Sequence, residues 1–445
     1  MLYKLLRLPL IILFFSFYRR IYWAGAKNVP KGVPIVIISN HSTACAEQML
    51  VAAFLRRGVY FWARSGVFTN IKVIQSLLKA VHMLPIKRAE DGLKNASENN
   101  RTFEASYQQI LSGKALYVAP EGNCVMEKRL RAFRTGSARV ALGAAASIDF
   151  KEPVAIIPVG VNYTHHRFFR SDVMISFGEP IWVKDFEEEY RNDPQRAAKM
   201  LTNTMKEAVL KEVVSIDKTT DEELVEQLFE VYRNETVSPL GPRFSRNNER
   251  LRMEQCLAKT VNNLEDSEKE SLATESNQYF QTLQANELTD SMFAAHQKLN
   301  FSAILMLALG FLPALLGLIL GWIPLNMARY FRNRLLKTEH SLQFWAPLAI
   351  ALVFATWIGY SLLLITATAF WMGWWSWALP VVFAGLQFWQ VLYKDFLMAY
   401  LKQQYFSRMQ LERPQMIASL SAKRMALIQH TDELIVQGER TKKRA

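Results

Sequence analysis

The sequence predicts an α/β fold with a largely parallel central sheet, followed by a helical stretch and membrane helices. Three observations predict it. From about residue 28 to 215, short runs rich in apolar and β-branched residues alternate with helix-length segments, the pattern of a sheet packed between helices. His41, Arg64, Arg88 and Glu121 each fall within two or three residues of the carboxyl end of such a run, where parallel α/β sheets form their clefts. Two stretches towards the C-terminus, Leu299 to Ala328 and Leu342 to Tyr393, carry no charge at all.

Composition narrows the class. The 445 residues suffice for two or more domains. Half of them are hydrophobic and 21% are charged, too apolar for disorder and too charged for a pure membrane bundle. The net charge of +13 suits nucleic acid or an anionic membrane surface. The uncharged stretches favour the membrane, and no nucleic-acid partner is expected. Cys45, Cys124 and Cys256 lie far apart, so neither a metal spacing nor a disulfide framework is expected, which suits a reducing compartment. The chain has no G-x-G-x-x-G, Walker A loop, H-E-x-x-H or G-x-S-x-G, which leaves nucleotide loops and a serine-hydrolase elbow without support.

The elements follow in order. Residues 1–27 contain an apolar run, Leu8 to Phe17, about half a bilayer span. Arg19, Arg20, Tyr18, Tyr22 and Trp23 follow it, as in an interfacial anchor helix with its arginines at the phosphates. Those arginines also argue against a signal peptide cleaved near Ala24-Gly25-Ala26. Residues 28–215 form the α/β domain, with strands at 34–39, 59–63, 83–86, 115–119, 154–161 and 172–177 and helices at 43–56, 70–80, 97–112, 134–147 and 188–214. Residues 216–298 read as a polar helical connector. The membrane region is 299–393, with two spans in 342–393 joined by "WMGWWSW". Arg329, Arg332, Arg334, Lys337 and the basic tail 394–445 then face the cytoplasm. A cytoplasmic α/β domain would make 299–328 a re-entrant segment bent at Gly310 and Pro313; a single span is the alternative.

"SNHSTACAE" places a histidine where a buried strand ends and a helix begins, with Asn40 before it and Glu47 six positions on. An imidazole held by a carboxylate can take a proton from a hydroxyl. Cys45 lies four residues from His41, but a cysteine in an apolar helix is more often buried than nucleophilic. His165-His166 has no further ligands beside it, so no metal is expected. The glycosylation sequons at Asn95, Asn100 and Asn162 are matches of pattern only.

"NHSTACAE", "LPIKR", "APEGN" and "VAIIPVGVNY", in that order over residues 28–180, together with "LRAFRTGSARVAL" and "GVNYTHHRFFRSDVMISFGEPI", resemble the glycerol-phosphate and lysophosphatidate acyltransferases. They are most similar to members with C-terminal membrane helices. The resemblance implies a membrane-bound acyltransferase domain with its site on the cytoplasmic face. Its acyl donor would be acyl-CoA or acyl carrier protein, used as co-substrate without a further cofactor. Its acceptor would be glycerol 3-phosphate or a related glycerol phosphate, with lysophosphatidate the alternative. Membrane lipids would be its other partners. It implies His41 as base held by Glu47, Arg88 and Arg64 on the acceptor phosphate, Glu121 and Gly122 at the glycerol, and Pro158 on the acyl-CoA side. Backbone N–H groups near the helix after His41 would stabilise the oxyanion. The family places Asp five residues after its His; here that position is Ala46, and the acid is Glu47. An inactive lipid-binding relative is the alternative of another class. A transporter lacks polar residues to line a path.

Overall fold

The structure, a computed structural model, describes residues 2–68, 72–87, 99–166, 168–236, 242–294, 301–335 and 345–444. It divides into two compact units. The first comprises Met1–Val214, Arg243–Asn248 and Leu335–Ile350; the second comprises Ser215–Pro242, Glu249–Arg334 and Ala351–Ala445.

The first unit is the α/β domain. Its elements in order are α1 (Leu2–Phe17), β1 (Arg20–Ala24), β2 (Ile35–Ser39), α2 (Ala46–Phe54), β3 (Val59–Arg64), α3 (Lys72–Ala80), β4 (Met83–Ile86), α4 (Asn99–Leu111), β5 (Ala115–Val118), α5 (Gly136–Ala146), β6 (Ala155–Tyr163), β7 (Asp172–Phe177), β8 (Ile181–Trp182), α6 (Glu187–Asn192) and α7 (Pro194–Leu210). A last strand, β9 (Phe244–Ser245), joins this sheet from further along the chain. The sheet order is β4-β3-β5-β2-β6-β7-β1-β9, with β8 beside β6. All pairs are parallel except β6 with β7 and β6 with β8.

β2 explains the sandwich. Its side chains alternate between two faces. Ile35 and Ile37 pack with Phe14 of α1 and Leu50 and Val51 of α2, whereas Val36 and Ile38 pack with α4, α5 and α7. Both faces are dry, so a central strand of this kind reads as an unbroken apolar run.

Several expectations are corrected here. The N-terminal helix stops at Phe17, and Arg20–Ala24 is a buried strand between β7 and β9. Arg19 and Arg20 do not turn to lipid phosphates but pair with Asp172, at 3.2 Å and 3.6 Å. Tyr18, Tyr22 and Trp23 lie in the core. The strand was hidden because it follows the apolar run directly and begins with an arginine whose partner is a buried acid from β7. The helix expected at 43–56 starts only at Ala46, which frees 40–45 as a loop. The helix expected at 188–214 breaks at Asp193, whose carboxylate accepts the N–H groups of Gln195 and Arg196 and caps α7.

The second unit is helical: α8 (Glu222–Thr236), α9 (Glu249–Asn263), α10 (Asp266–Ala285), α11 (Phe301–Leu335), the main part of α12 (Trp345–Met372), α13 (Leu379–Glu412) and α14 (Pro414–Arg444). α11 is one continuous helix through Gly310 and Pro313, so the re-entrant bend is absent. Gly310 serves helix contact instead. Its carbonyl accepts the indole N–H of Trp389 at 2.9 Å, and a Cβ there would lie 2.6 Å from that ring. The Gly317 carbonyl accepts a side-chain N–H of Gln387, and a Cβ at Gly317 or Gly321 would strike Leu386 or Gln387 of α13, as expected where two apolar helices approach closely. "WMGWWSW" does join two long helices, α12 and α13. Beyond it, α14 packs on α8, α9 and α10. Arg424 there is buried, pairing with Asp290 at 2.7 Å and with Glu235.

Candidate active site

The carboxyl end of β2 is built from side chains that replace a backbone ladder. Tyr117 of β5 donates its hydroxyl to Ser39, which donates in turn to the Asn40 carbonyl at 2.7 Å. The Asn40 amide donates to the Val161 carbonyl and accepts the Val161 N–H, both at 2.8 Å. These bonds continue the β2–β6 register one residue past Ser39 and fix where the next residue begins.

That residue is His41. Its N–H donates to Glu121 Oε1 at 3.2 Å, and its carbonyl accepts the Val125 N–H at 3.2 Å. Its ring Nδ1 lies 3.8 Å from Glu47 Oε2, too far for a hydrogen bond. Neither atom has another hydrogen-bond partner among the described residues. Apo catalytic pairs are commonly loose in this way and tighten on substrate.

Glu47 is fully buried. Its Oε1 accepts the N–H groups of Ser42 and Thr43 at 3.0 Å and 2.6 Å. The loop 42–45 therefore wraps around the carboxylate, which sits in the first turn of α2, where a negative charge is favourable. The acid reaches back over one more residue than the usual spacing, with one more methylene. Ser42 and Thr43 are thereby removed as oxyanion donors. Burial and then the charge of Glu47 raise the hydroxyl pKa of Tyr18, Tyr117 and Tyr163. Burial, then Glu47 and Cys124, push the Cys45 thiol up to about 12, which keeps it protonated at neutral pH.

Of the expected phosphate ligands, Arg64 is exposed at the carboxyl end of β3, in register with Ile86 of β4. Arg88 lies outside the described residues. The backbone just before it is held: Asn99 accepts the Lys87 N–H at 3.0 Å and donates to the Lys87 carbonyl at 2.8 Å. Glu121 is buried, with one oxygen on the His41 N–H and the other 2.5 Å from Arg131. Gly122 has φ +79°, and a Cβ there would sit 2.7 Å from Arg134 Nε. The glycine is thus explained by its turn and by the side chain crossing it. Pro158 is buried within β6, opposite Ile38, and its carbonyl accepts the Gly178 N–H at 2.9 Å.

Asn40, Arg131 and Arg134 went unassigned in the sequence. The two arginines stand in "LRAFRTGSARVAL", but only the fold shows that Arg131 returns to the His41 loop. The Asn162 sequon is closed, because Asn162 is buried and bonded to the Glu212 carbonyl and the Val214 N–H.

Residues 20–162 match the family model described as Acyltransferase. The chain is 31% identical over 113 residues to glycerol-3-phosphate O-acyltransferase 2 of Saccharomyces cerevisiae, covering 24% of this chain and 15% of that protein. It is 26% identical over 152 residues to glycerol-3-phosphate O-acyltransferase 1 of the same yeast, covering 31% and 20%. The matched segments thus span a fifth or less of these relatives. Among solved structures, the 1-acyl-sn-glycerophosphate (LPA) acyltransferase PlsC of Thermotoga maritima overlays with a TM-score of 0.31 at 18% identity, covering 44% of this chain and 75% of that one.

Proposed function

We propose that the chain, whose residues 20–162 match the Acyltransferase family model, is a membrane-bound enzyme of the glycerol-phosphate and lysophosphatidate acyltransferase kind that moves a fatty acyl group from acyl-CoA, or acyl carrier protein, to a hydroxyl of glycerol 3-phosphate. The observation that carries the proposal is His41 facing the buried Glu47 at the carboxyl end of β2, inside the matched segment.

Glu47 holds the imidazole with Nδ1–H towards the acid and Nε2 free to act. Nε2 takes the proton of the acceptor hydroxyl as its oxygen attacks the thioester carbonyl. The tetrahedral intermediate collapses, the C–S bond breaks, and the imidazolium returns the proton to the departing thiolate. Glu47 offsets the charge of the imidazolium in between. Arg64 and Arg88 hold the acceptor phosphate, which aims the hydroxyl and converts binding into orientation. Glu121 and Gly122 bound the glycerol side, and Pro158 shapes the acyl-CoA side. The names of the yeast relatives favour glycerol 3-phosphate over lysophosphatidate as acceptor. Two helical stretches, Ile304–Arg334 and Ala351–Glu412, are long and apolar enough to cross a bilayer. They would keep a cytoplasmic site at the surface from which a long acyl chain enters and into which the product leaves.

The test uses the full chain in lipid vesicles, with a long-chain acyl-CoA and each acceptor in turn. Thiol release that requires glycerol 3-phosphate and yields the acylated lipid supports the proposal. Release that requires lysophosphatidate moves the enzyme to the next step. Acyl-CoA binding without turnover on any acceptor leaves an inactive lipid-binding protein.

A further inference from the structure

We infer that Arg131 and Glu121 act together as a positioning pair for His41, gripping its backbone from both sides; the inference rests on the proposed role of His41 as base. The geometry is a closed set of contacts. Glu121 Oε1 takes the His41 N–H at 3.2 Å. Glu121 Oε2 meets Arg131 Nη2 at 2.5 Å. The same Nη2 reaches the His41 carbonyl at 3.5 Å. Arg131 is itself anchored, with Nη1 on Asn123 Oδ1 at 2.7 Å and Nη2 on the Asn123 carbonyl at 2.5 Å. One guanidinium thus joins both peptide groups of His41 to the turn after β5. A planar fork with several donors can do this; an ammonium cannot reproduce it.

The pair also accounts for an acid beside the base that is not its orienting acid. Burial raises the Glu121 carboxyl above the usual carboxylate range, and Arg131 and the His41 N–H offset only part of that rise. The group works ionised, as acceptor. Without Arg131 its pKa would rise, and the working form would be lost on acidification from a higher pH than in the wild type. The side chain of Arg131 is 20% exposed, so it borders the site without being the freely exposed cation that a phosphate ligand would be.

The experiment compares wild type, Arg131→Met, Arg131→Lys, Arg131→Met/Glu121→Gln and Arg129→Met in the vesicle assay, with His41→Ala as reference. Arg129 is half exposed and pairs with its near neighbour Glu127, so Arg129→Met should match wild type. For Arg131→Met we expect kcat to fall about a hundredfold, the cost of an active group misplaced by about 1 Å, with KM for the acceptor changed less than threefold. Its acidic limb should move to higher pH. Arg131→Lys should recover little. The double variant should regain at least tenfold in kcat, because a neutral Gln can still accept the His41 N–H without an unpaired buried charge. An Arg131→Met enzyme with normal kcat and a tenfold higher acceptor KM would overturn the inference and make Arg131 a phosphate ligand. A double variant no faster than Arg131→Met would also overturn it. If wild type turns over no better than His41→Ala, the proposed function fails instead, so the two failures are distinguishable.

Discussion

The side-chain amide of Asn40 exchanges two 2.8 Å hydrogen bonds with the backbone of Val161, so the residue before His41 is tied to β6 as firmly as a strand residue. Removing it leaves a backbone donor and acceptor of β6 without this partner. Asn40→Ala should cost about 1–3 kcal/mol of stability. It should lower kcat more than it raises the KM of either substrate. Thermal melts and steady-state kinetics on one preparation check this; a stable Asn40→Ala enzyme with unchanged kcat would remove Asn40 from the site.

Arg20 is buried and shares Asp172 with the half-exposed Arg19. Asp172→Ala removes the carboxylate paired with the buried Arg20 and should destabilise the α/β domain by about 3–5 kcal/mol. Arg19→Ala should cost under about 1 kcal/mol. If Arg19 and Arg20 instead served lipid headgroups, Asp172→Ala would melt like wild type and both arginine variants would weaken only vesicle dependence.

Cys45 sits four residues from His41, but its thiol is pushed up to about 12, first by burial and then by Glu47 and Cys124. The reactive thiolate is therefore suppressed at neutral and mildly alkaline pH. Cys45→Ala should retain full turnover, and iodoacetamide at pH 8 should leave Cys45 unlabelled in mapped digests. An acyl group trapped on Cys45 during turnover would reverse this conclusion.

The tail helix α14 is a partner of the connector helices. Arg424 on α14 meets Asp290 and Glu235, and Tyr232 of α8 donates to Asp432 at 2.6 Å. Packed helices lie on one side of any membrane that the chain crosses, so α9 and α14 should share a side. Single cysteines placed at exposed positions of α9 and α14 should react with a membrane-impermeant maleimide from the same side. Arg424→Met, which leaves Asp290 buried without its main cation, should loosen α14 and make it an early site of limited proteolysis.

Much of this was legible in the sequence, and the failures share physical causes. β2, β5, β6 and β7 announce themselves because strands buried on both faces read as unbroken apolar runs, and β3 and β4 show as short apolar runs nearer the sheet edge. β1 did not, because it follows an apolar helix directly and carries an arginine whose buried partner, Asp172, is about 150 residues away in sequence. β9 has only two residues and joins from beyond α8. The pairing of α14 with α8 and α10 is a contact over some 200 residues, which no local pattern encodes. At the site, His41 and Glu47 were readable from spacing, since the helix boundary at Ala46 makes an acid at Glu47 reach back over the loop. Asn40 and Arg131 were not, because each acts on backbone atoms, which leave no mark in side-chain patterns. Gly310 misled for a related reason: a glycine that admits a tryptophan and a glycine that permits a bend look alike in one dimension.

The decisive measurement is the single-turnover rate of thiol release by His41→Ala and Glu47→Gln, each saturated with acyl-CoA and glycerol 3-phosphate and each verified by its melting curve. With His41 as base and Glu47 holding its ring, His41→Ala should be slower by about 10²–10⁴-fold. Glu47→Gln, which puts a donor where Nδ1–H needs an acceptor, should be slower by at least about tenfold, with acyl-CoA binding intact. A folded His41→Ala chain that releases thiol at the wild-type rate would show that the acyl group is transferred without this imidazole.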